Sequence, residues 1–197
     1  MKAAVLREVG KPLTIEDVKI NKPGPHEVLI RTVAAGVCHS DLHFVEGSYP
    51  YPLPAVLGHE SAGVVEQVGS EVRTVKPGDH VITCLSAFCG HCEHYLTGHL
   101  SRCVSPETKR EADEEPRLGG TAGAMNQFLN LSSFAEQMLI HEHACGAIRK
   151  DMPLDRAALI GCSVTTGVGA VIHTSGLRPG PTLSVVCPGR DGLARSN

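Results

Sequence analysis

Two cysteines and one histidine of this chain could together bind a metal ion. Cys38, His59 and Cys162 supply two thiolates and one imidazole, one donor fewer than a closed tetrahedral zinc site uses. The open position is where a metal-activated oxygen of a substrate or of water would sit. His59 within the tripeptide Gly58-His59-Glu60 is a weak signal when taken alone, because a single histidine is more often a hydrogen-bonded structural residue than a ligand.

A mainly β fold is predicted to position these side chains. In the first hundred residues, short apolar runs such as 28–33 and 63–68 alternate with turns marked by glycine and proline. Many short strands at this spacing are typical of a small, partly open barrel. Two further short strands are predicted at residues 134–140 and 144–148. Between these regions the densely charged segment 104–120 is expected to be a solvated loop, with a substrate-channel or subunit-contact insert as the alternative.

The periodicity becomes helical towards the end of the chain. Four apolar residues fall on one helical face, and Gly176 stands where a helix C-cap is expected; the four are Val164, Val168, Val171 and Ile172. A short apolar run at 183–187 then predicts one more strand.

Composition narrows the classes of partner. Hydrophobic residues make up 42% of the 197 residues and the net charge is −3, so neither nucleic acid nor an anionic membrane surface is expected as a partner. No run approaches the roughly twenty consecutive apolar residues of a membrane span, and the N-terminus becomes polar too early for a secretory signal. The eight cysteines are therefore expected to be thiols or metal ligands in a reducing compartment, by default the cytoplasm.

The spacing of small and polar residues around His59 also resembles a known family. The run Gly58-His59-Glu60-Ser61-Ala62-Gly63, followed by Gly69 and Val72, resembles the pattern of the zinc-containing alcohol dehydrogenases of the medium-chain dehydrogenase family. Residues 38–43 and 161–166 resemble its first and third ligand segments. The resemblance implies a GroES-like catalytic domain at 1–155, including a structural-zinc-like lobe at 84–104. It also implies the first helix and strand of a truncated dinucleotide-binding (Rossmann) domain at 156–197.

The same resemblance implies roles around a catalytic zinc held by Cys38, His59 and Cys162. Ser40 matches a hydroxyl relay beside the substrate oxygen, and His43 matches a solvent-side proton acceptor. Asp41 would orient His59, and Glu60 aligns with a carboxylate behind the metal. A turn cap for Ser40 and an ordinary surface position for His43 are the alternatives.

A second, structural zinc site is implied with one ligand missing. The first, second and fourth ligand positions of the family lobe are Cys89, Cys92 and Cys103 here, but the third is Tyr95. A neutral phenol is a poor zinc ligand. His94 is adjacent and is the suggested substitute, with His91 and His99 also close. A site of three cysteines and one histidine would have weakened affinity, and an empty site is the alternative.

The nicotinamide cofactor, NAD or NADP, is implied by the family. Thr166 falls where a side chain meets the nicotinamide, and His39 where a cationic residue meets the phosphates; Thr166 as an ordinary helix residue is the alternative. At 187–192 the chain reads Cys-Pro-Gly-Arg-Asp-Gly, which keeps two glycines of the dinucleotide fingerprint, Gly189 and Gly192. The ribose-binding carboxylate comes about 20 residues later, whereas five residues follow Gly192.

The sequence therefore predicts a zinc-dependent oxidoreductase that converts alcohols to aldehydes or ketones. A truncated chain would lack most of the cofactor-binding sheet and the main dimer contact of the homo-oligomeric family, which leaves turnover by the isolated chain open. The alternative function is a non-catalytic GroES-like zinc-binding module. A zinc-free quinone reductase is disfavoured, because all three catalytic ligands are present.

Overall fold

The fold is mainly β with some helix, as predicted. The computed structural model describes residues 1–111, 113–120, 123–176 and 180. Within these residues the strands form three sheets, and none of the three closes on itself, which confirms the partly open barrel. The predicted strand at 183–187 and the fingerprint at 187–192, with Gly189 and Gly192, lie outside the described residues.

The strands are short, apart from two that form the centre of the fold. In chain order, β1 to β12 are Lys2–Leu6, Thr14–Asp17, Lys19–Ile20, Glu27–Gly36, Ala55–Val56, Glu60–Val68, His80–Thr83, Leu118–Gly120, Gly123–Ala124, Asn126–Gln127, Gln137–His141 and Cys145–Ala147. The helices α1, α2 and α3 are His39–Val45, Glu93–Leu96 and Leu154–Thr174. Single 3₁₀ turns occur at Leu100–Arg102, Pro106–Thr108, Phe128–Asn130 and Glu142–Ala144.

The largest sheet has five strands in the order β11-β4-β6-β7-β12. Its central strands β4 and β6 pair antiparallel, with register shifts at Leu29/Ile30 and Thr32/Ala34; such irregularities increase the local bend of a strand. The inner face carries buried aliphatic side chains, including Val28, Ile30, Val65, Val81, Met138 and Ile140. Two smaller sheets, β10-β5-β1-β2 and β3-β8-β9, complete the walls.

The charged segment 104–120 is bound to the barrel rather than being only a solvated loop. Glu27 at the start of β4 is 5% exposed and accepts hydrogen bonds from Arg110 and from Arg117, each at 2.6 Å. Arg117 also donates to the carbonyl of Thr108. The expectation of a solvated loop was wrong because Glu27 and its arginine partners lie more than eighty positions apart in sequence. A pattern of charges within one segment does not indicate such distant partners.

Removing the Glu27 charge is expected to destabilise the fold strongly. In Glu27→Gln two guanidinium groups lose their counter-charge in a buried setting, which costs about 3 kcal/mol or more of the free energy of unfolding. The exposed pair of Arg149 and Asp151 supplies a control, because Asp151→Asn should leave stability nearly unchanged. Urea denaturation of both variants measures the difference, and equal midpoints would contradict the assignment.

A second buried polar group fixes the loop before β7 to the end of β11. Glu142 accepts from the backbone N–H of Arg73 at 3.0 Å and from the hydroxyl of Thr74 at 3.0 Å, and it pairs with His26 at 3.0 Å. Burial raises the pKa of Glu142, but these partners outweigh it and hold the pKa at about 2. Burial, with the neighbouring charges of His143 and Arg117, lowers the pKa of His141 to about 4.

Stability is consequently expected to fall in two successive steps on acidification. The unfolded chain protonates His141 below pH 6.5 and Glu142 below pH 4.5, whereas the folded chain resists until about 4 and about 2. As the pH falls from 6.5 to 4, the free energy of unfolding therefore decreases because of His141. As the pH falls further, from 4.5 to 2, it decreases because of Glu142, and each decrease is on the order of 2 kcal/mol. The free energy of unfolding is measured against pH for the parent and for each variant. The difference from the parent should change between pH 6.5 and 4 for His141→Gln, and between pH 4.5 and 2 for Glu142→Gln. A difference that stays constant over the whole pH range would contradict this.

The predicted C-terminal helix is present but begins before the predicted apolar face. It contains two π-helical segments, Ile160–Val164 and Ala170–Thr174, and Gly176 beyond its end has the positive φ of 66° that a helix C-terminus favours. Its apolar face is only partly covered by described residues, since Val168 is 39% and Ile172 53% exposed.

The expectation that no segment has the length of a membrane span needs correction. α3 spans 21 residues with a mean hydropathy of 1.4 over its most apolar window, so it passes a test of length and composition. One such helix is weak evidence for a membrane span, because core helices of other proteins pass the same test. The sequence reading missed it because Asp155 and Arg156 interrupt the apolar run near its start.

Candidate metal centres

Three different elements bring Cys38, His59 and Cys162 together. Cys38 is the N-cap residue of α1, His59 directly precedes β6, and Cys162 lies in the first π-helical segment of α3. The donor atoms of the three side chains all lie within 4.8 Å of one another. The cluster predicted from sequence is therefore assembled across 124 residues of chain.

Two glycines allow this approach. Gly58 has φ +92°, a left-handed conformation that side chains other than glycine rarely adopt, and it turns the chain so that His59 enters the interior. Gly161 packs directly on β7, where a Cβ would overlap the carbonyl oxygen of Thr83. The π-helical segment, a feature frequent at functional sites, then carries Cys162 towards His59.

The spacing of the donors fits a tetrahedral zinc ion. The Sγ atom of Cys162 lies 3.5 Å from Nε2 of His59. Zinc bonds of about 2.3 Å to sulfur and 2.0 Å to nitrogen at the tetrahedral angle place two such donors about 3.5 Å apart. The donor set and its spacing therefore match the ion, with one position left for a ligand that is not a protein side chain.

Asp41 fixes the orientation of His59. The Nδ1 atom of His59 donates to Oδ1 of Asp41 at 3.1 Å, which leaves Nε2 directed at the sulfur. The carboxylate also accepts from the backbone N–H groups of Cys38 at 3.0 Å and Gly58 at 3.3 Å, and it is 2% exposed. A carboxylate behind a metal-binding histidine is the usual arrangement in protein metal sites.

The charge distribution of this cluster favours a thiolate at Cys38. Burial raises the pKa of Cys38, but hydrogen bonds from the N–H and hydroxyl of Ser40, together with the charge of His59, bring it below the ordinary thiol value. Burial alone lowers the pKa of His59, whereas Asp41 and Cys162 raise it to about 10. In the absence of metal the cluster thus retains a proton on the imidazole, which metal binding releases.

The remaining predicted catalytic residues surround this cluster. Ser40 is half-buried beside the Cys38 sulfur. One turn later on α1, His43 has a buried Nδ1 atom with no hydrogen-bond partner among the described residues. Glu60 is fully buried and accepts from the backbone N–H of Ser163 at 3.0 Å, which ties the start of β6 to the segment that carries Cys162.

The two predicted cofactor contacts within the described residues are both solvent-exposed. His39 lies on the first turn of α1, and its ring contacts that of His43 with centroids 4.6 Å apart. Thr166 lies on α3, four positions after Cys162. Both remain available to a ligand that approaches the cluster from solvent.

Sequence reasoning missed an aromatic cluster beside His59. The ring of Phe128 is fully buried, 6.0 Å from that of His59, and contacts Phe44 and Tyr51 with centroids 4.7 and 5.1 Å apart. Tyr49 extends the cluster, so that it holds four of the seven Phe and Tyr residues of the chain. The density of aromatic residues between 44 and 51 in a chain poor in them was the available signal.

The second cysteine cluster assembles in the lobe around α2. The sulfurs of Cys89, Cys92 and Cys103 lie within 4.8 Å of one another, and the backbone N–H of Cys89 points at Sγ of Cys103 at 3.4 Å. Hydrogen bonds from the backbone N–H groups of His91 and Cys92 lower the pKa of Cys89 to about 6. The three predicted structural ligands are therefore brought together.

The fourth corner of this lobe differs from the prediction. Tyr95 is stacked on the ring of Phe88, with centroids 5.4 Å apart. His94, the suggested substitute, belongs to none of the three groups of converging donors found in the described residues. In the described part of this lobe, the histidine whose donor converges on a sulfur is His91, which lies with Glu107 within 4.8 Å of the Cys89 donor and pairs with Glu107 at 2.7 Å.

Comparison with known proteins identifies the family. Residues 24–150 match the alcohol dehydrogenase GroES-like domain. The chain belongs to this family. Geraniol dehydrogenase of Castellaniella defragrans is 41% identical over 98% of the chain, which covers 52% of that protein. The chain thus spans about half the length of the curated relative it matches.

Solved structures of alcohol dehydrogenases share the fold. An alcohol dehydrogenase zinc-binding domain protein from Burkholderia ambifaria superposes with a TM-score of 0.89 at 40% identity, over 98% of this chain and 54% of that one. Benzyl alcohol dehydrogenase from Acinetobacter calcoaceticus gives 0.87 at 33%, over 98% and 53%. A putative zinc-binding dehydrogenase from Sinorhizobium meliloti, solved with NADP, gives 0.75 at 26%, over 98% and 51%. The resemblance to zinc-dependent alcohol dehydrogenases is confirmed.

Proposed function

We propose that this chain carries the zinc-binding catalytic domain of an alcohol dehydrogenase that interconverts alcohols and aldehydes with a nicotinamide cofactor. One observation carries the proposal: Cys38, His59 and Cys162 converge with a spacing that suits zinc and leaves one position open. Residues 1–155 form this domain in the proposal, and residues 156–197 lead into the cofactor-binding part.

Zinc would be held by the two sulfurs and Nε2 of His59, with the Asp41 carboxylate keeping Nδ1 protonated. When bound, zinc supplies Lewis acidity that stabilises negative charge on a substrate oxygen. Asp41 and the buried Glu60 keep the ligands His59 and Cys162 in place. Asp41 accepts a hydrogen bond from the N–H of Gly58, next to His59, and Glu60 accepts one from the N–H of Ser163, next to Cys162.

The proton lost by an alcohol needs a path to solvent, and α1 supplies one in this proposal. Ser40 and His43 lie three positions apart on the helix, so their side chains share a face. A hydroxyl can accept one proton while it donates another. The Nδ1 atom of His43, which has no hydrogen-bond partner among the described residues, can accept from a hydroxyl or water.

The cofactor is proposed to approach between α1 and α3, because His39 and Thr166 are exposed beside the cluster. An imidazole can meet a phosphate, and a threonine side chain can pack against the nicotinamide ring. NAD and NADP both remain candidates, and the NADP-bound relative supports the cofactor class.

An apolar primary alcohol is the proposed substrate class. Phe44, Tyr51 and Phe128 form an aromatic surface next to His59, and such surfaces favour unsaturated or aromatic substrates. The printed names of two relatives, geraniol dehydrogenase and benzyl alcohol dehydrogenase, agree with this class.

Isotope transfer tests the proposal directly. The full chain, loaded with zinc, is incubated with benzyl alcohol or geraniol deuterated at C1 and with NAD⁺ or NADP⁺. We expect deuterium on the nicotinamide ring, and none with the Cys38→Ser variant. A folded, zinc-loaded chain that transfers no deuterium would contradict the enzyme proposal and favour a zinc-binding module without turnover.

A further inference from the structure

The lobe cysteines are arranged for metal binding independently of the proposed active site. The sulfur of Cys89 accepts hydrogen bonds from the N–H groups of His91 and Cys92, and the sulfur of Cys103 accepts one from the N–H of Cys89 at 3.4 Å. Hydrogen bonds of this kind stabilise thiolate charge, because each directs a backbone dipole at the sulfur. Three sulfurs within 4.8 Å of one another therefore make a donor set for a thiophilic ion.

The fourth donor of a closed site is absent from the described residues. Among the described histidine, cysteine, aspartate and glutamate side chains, no fourth donor joins the group of Cys89, Cys92 and Cys103 within 4.8 Å of all three sulfurs. The tyrosine at the remaining ligand position is engaged elsewhere: Tyr95 stacks on Phe88, and Phe88 stacks on His143 at 4.5 Å with an interplanar angle of 8°. His143 in turn donates from Nδ1 to the carbonyl of Phe88 at 2.8 Å, which locks this three-ring stack to the barrel.

His91, whose donor lies within 4.8 Å of the Cys89 sulfur, is also engaged. It pairs with Glu107 at 2.7 Å, and its donor group includes only the Cys89 sulfur, without those of Cys92 and Cys103. Space for a small ligand is present beside Cys103. A cavity of about 230 Å³ borders Cys103 and is lined by Ser101, Ser105 and Lys109 among others.

We propose that the lobe binds a thiophilic metal ion through Cys89, Cys92 and Cys103 alone, with an exchangeable ligand from solution at the fourth position. The site is then an open trithiolate centre instead of the closed tetrahedron that structural zinc requires. The ring stack, and not a fourth metal bond, holds this part of the lobe against the barrel. The inference concerns a site distinct from the proposed catalytic centre and does not depend on turnover.

Cobalt(II) substitution tests the proposal by absorption spectroscopy, in a Cys38→Ser background that keeps cobalt out of the other cluster. Imidazole or 2-mercaptoethanol is added in steps to the cobalt-loaded protein, and the sulfur-to-cobalt charge-transfer bands and the d–d bands are recorded after each addition. We expect saturable shifts of these bands in the Tyr95 protein. In the matched Tyr95→Cys variant the fourth thiolate should abolish the shifts and slow metal transfer to a chromophoric chelator by about tenfold or more.

Variants of the neighbouring histidines keep the test decisive if Tyr95→Cys does not fold. His91→Ala and His94→Ala are expected to leave the cobalt spectrum of the lobe unchanged. A spectrum insensitive to both added ligands, or one altered by either histidine variant, would overturn the proposal because a protein donor would then close the site. A folded lobe that takes up no cobalt would overturn it as well.

Discussion

Replacing Cys38 with serine is expected to remove the metal from the Cys38–His59–Cys162 cluster and to abolish alcohol oxidation. A neutral hydroxyl is a far weaker zinc ligand than a thiolate, and the cluster has only three protein donors. Losing the Lewis acid removes several kcal/mol of transition-state stabilisation, so turnover should fall about 10³-fold or more. Zinc content measured by mass spectrometry should fall by one equivalent per chain.

Cys84 provides the matched control for this variant. It is a free, half-buried thiol of the same domain. Since Cys84 is in none of the three groups of converging donors in the described residues, Cys84→Ser is expected to keep both the zinc content and the activity of the parent. Loss of zinc from both variants alike would show a general effect of thiol removal, and retention of zinc by the Cys38 variant would contradict the assigned ligand set.

Asp41→Asn is expected to weaken zinc binding at the same cluster without removing a ligand. The carboxylate receives the Nδ1 proton of His59 at 3.1 Å and two backbone N–H groups. The amide oxygen of asparagine can still accept from His59 and Gly58, which both bond Oδ1 of Asp41. The amide nitrogen that replaces Oδ2 cannot accept from the N–H of Cys38, and the negative charge that strengthens the imidazole as a donor to metal is lost. Substitutions of this kind typically reduce metal affinity by about 10- to 100-fold, and competition with a chromophoric chelator measures the change.

The exposed Asp155 on α3 serves as the comparison. Asp155→Asn removes the same charge from a surface position and should leave zinc affinity unchanged. Circular dichroism of both variants checks that the fold is retained. Equal zinc affinities for the two variants would mean that the contact between Asp41 and His59 does not tune the metal site.

The sequence predicted the strands around the site well, because their patterns are local. Short apolar runs at 28–33 and 63–68 located β4 and β6, and glycine and proline located the turns between such runs. The helix α3 was predicted only from its apolar face, and its start at Leu154 was missed. That start is amphipathic, and only its small residues Ala157 and Ala158 are buried, which leaves little periodic signal.

The metal clusters were predictable for a different reason. Cys38, His59 and Cys162 could be assigned to one site, although they are far apart in sequence, because their segments resemble the three ligand segments of the family and their residue types suit zinc. The contacts that support them were not predictable in this way. Two examples are the ion pairs of Glu27 with two arginines and the ring stack of Tyr95, Phe88 and His143. Glutamate, arginine and aromatic residues occur in many kinds of contact, so their types alone do not identify their partners.

The central claim is tested most directly by an anomalous difference map collected at the zinc absorption edge from crystals of the full chain. We predict a peak bonded to Sγ of Cys38, Nε2 of His59 and Sγ of Cys162, at about 2.3 Å from each sulfur and 2.0 Å from the nitrogen. The fourth ligand at that peak should be a solvent or substrate oxygen. A zinc-loaded crystal with no peak at this cluster, or with a fourth protein side chain closing it, would contradict a catalytic metal centre here.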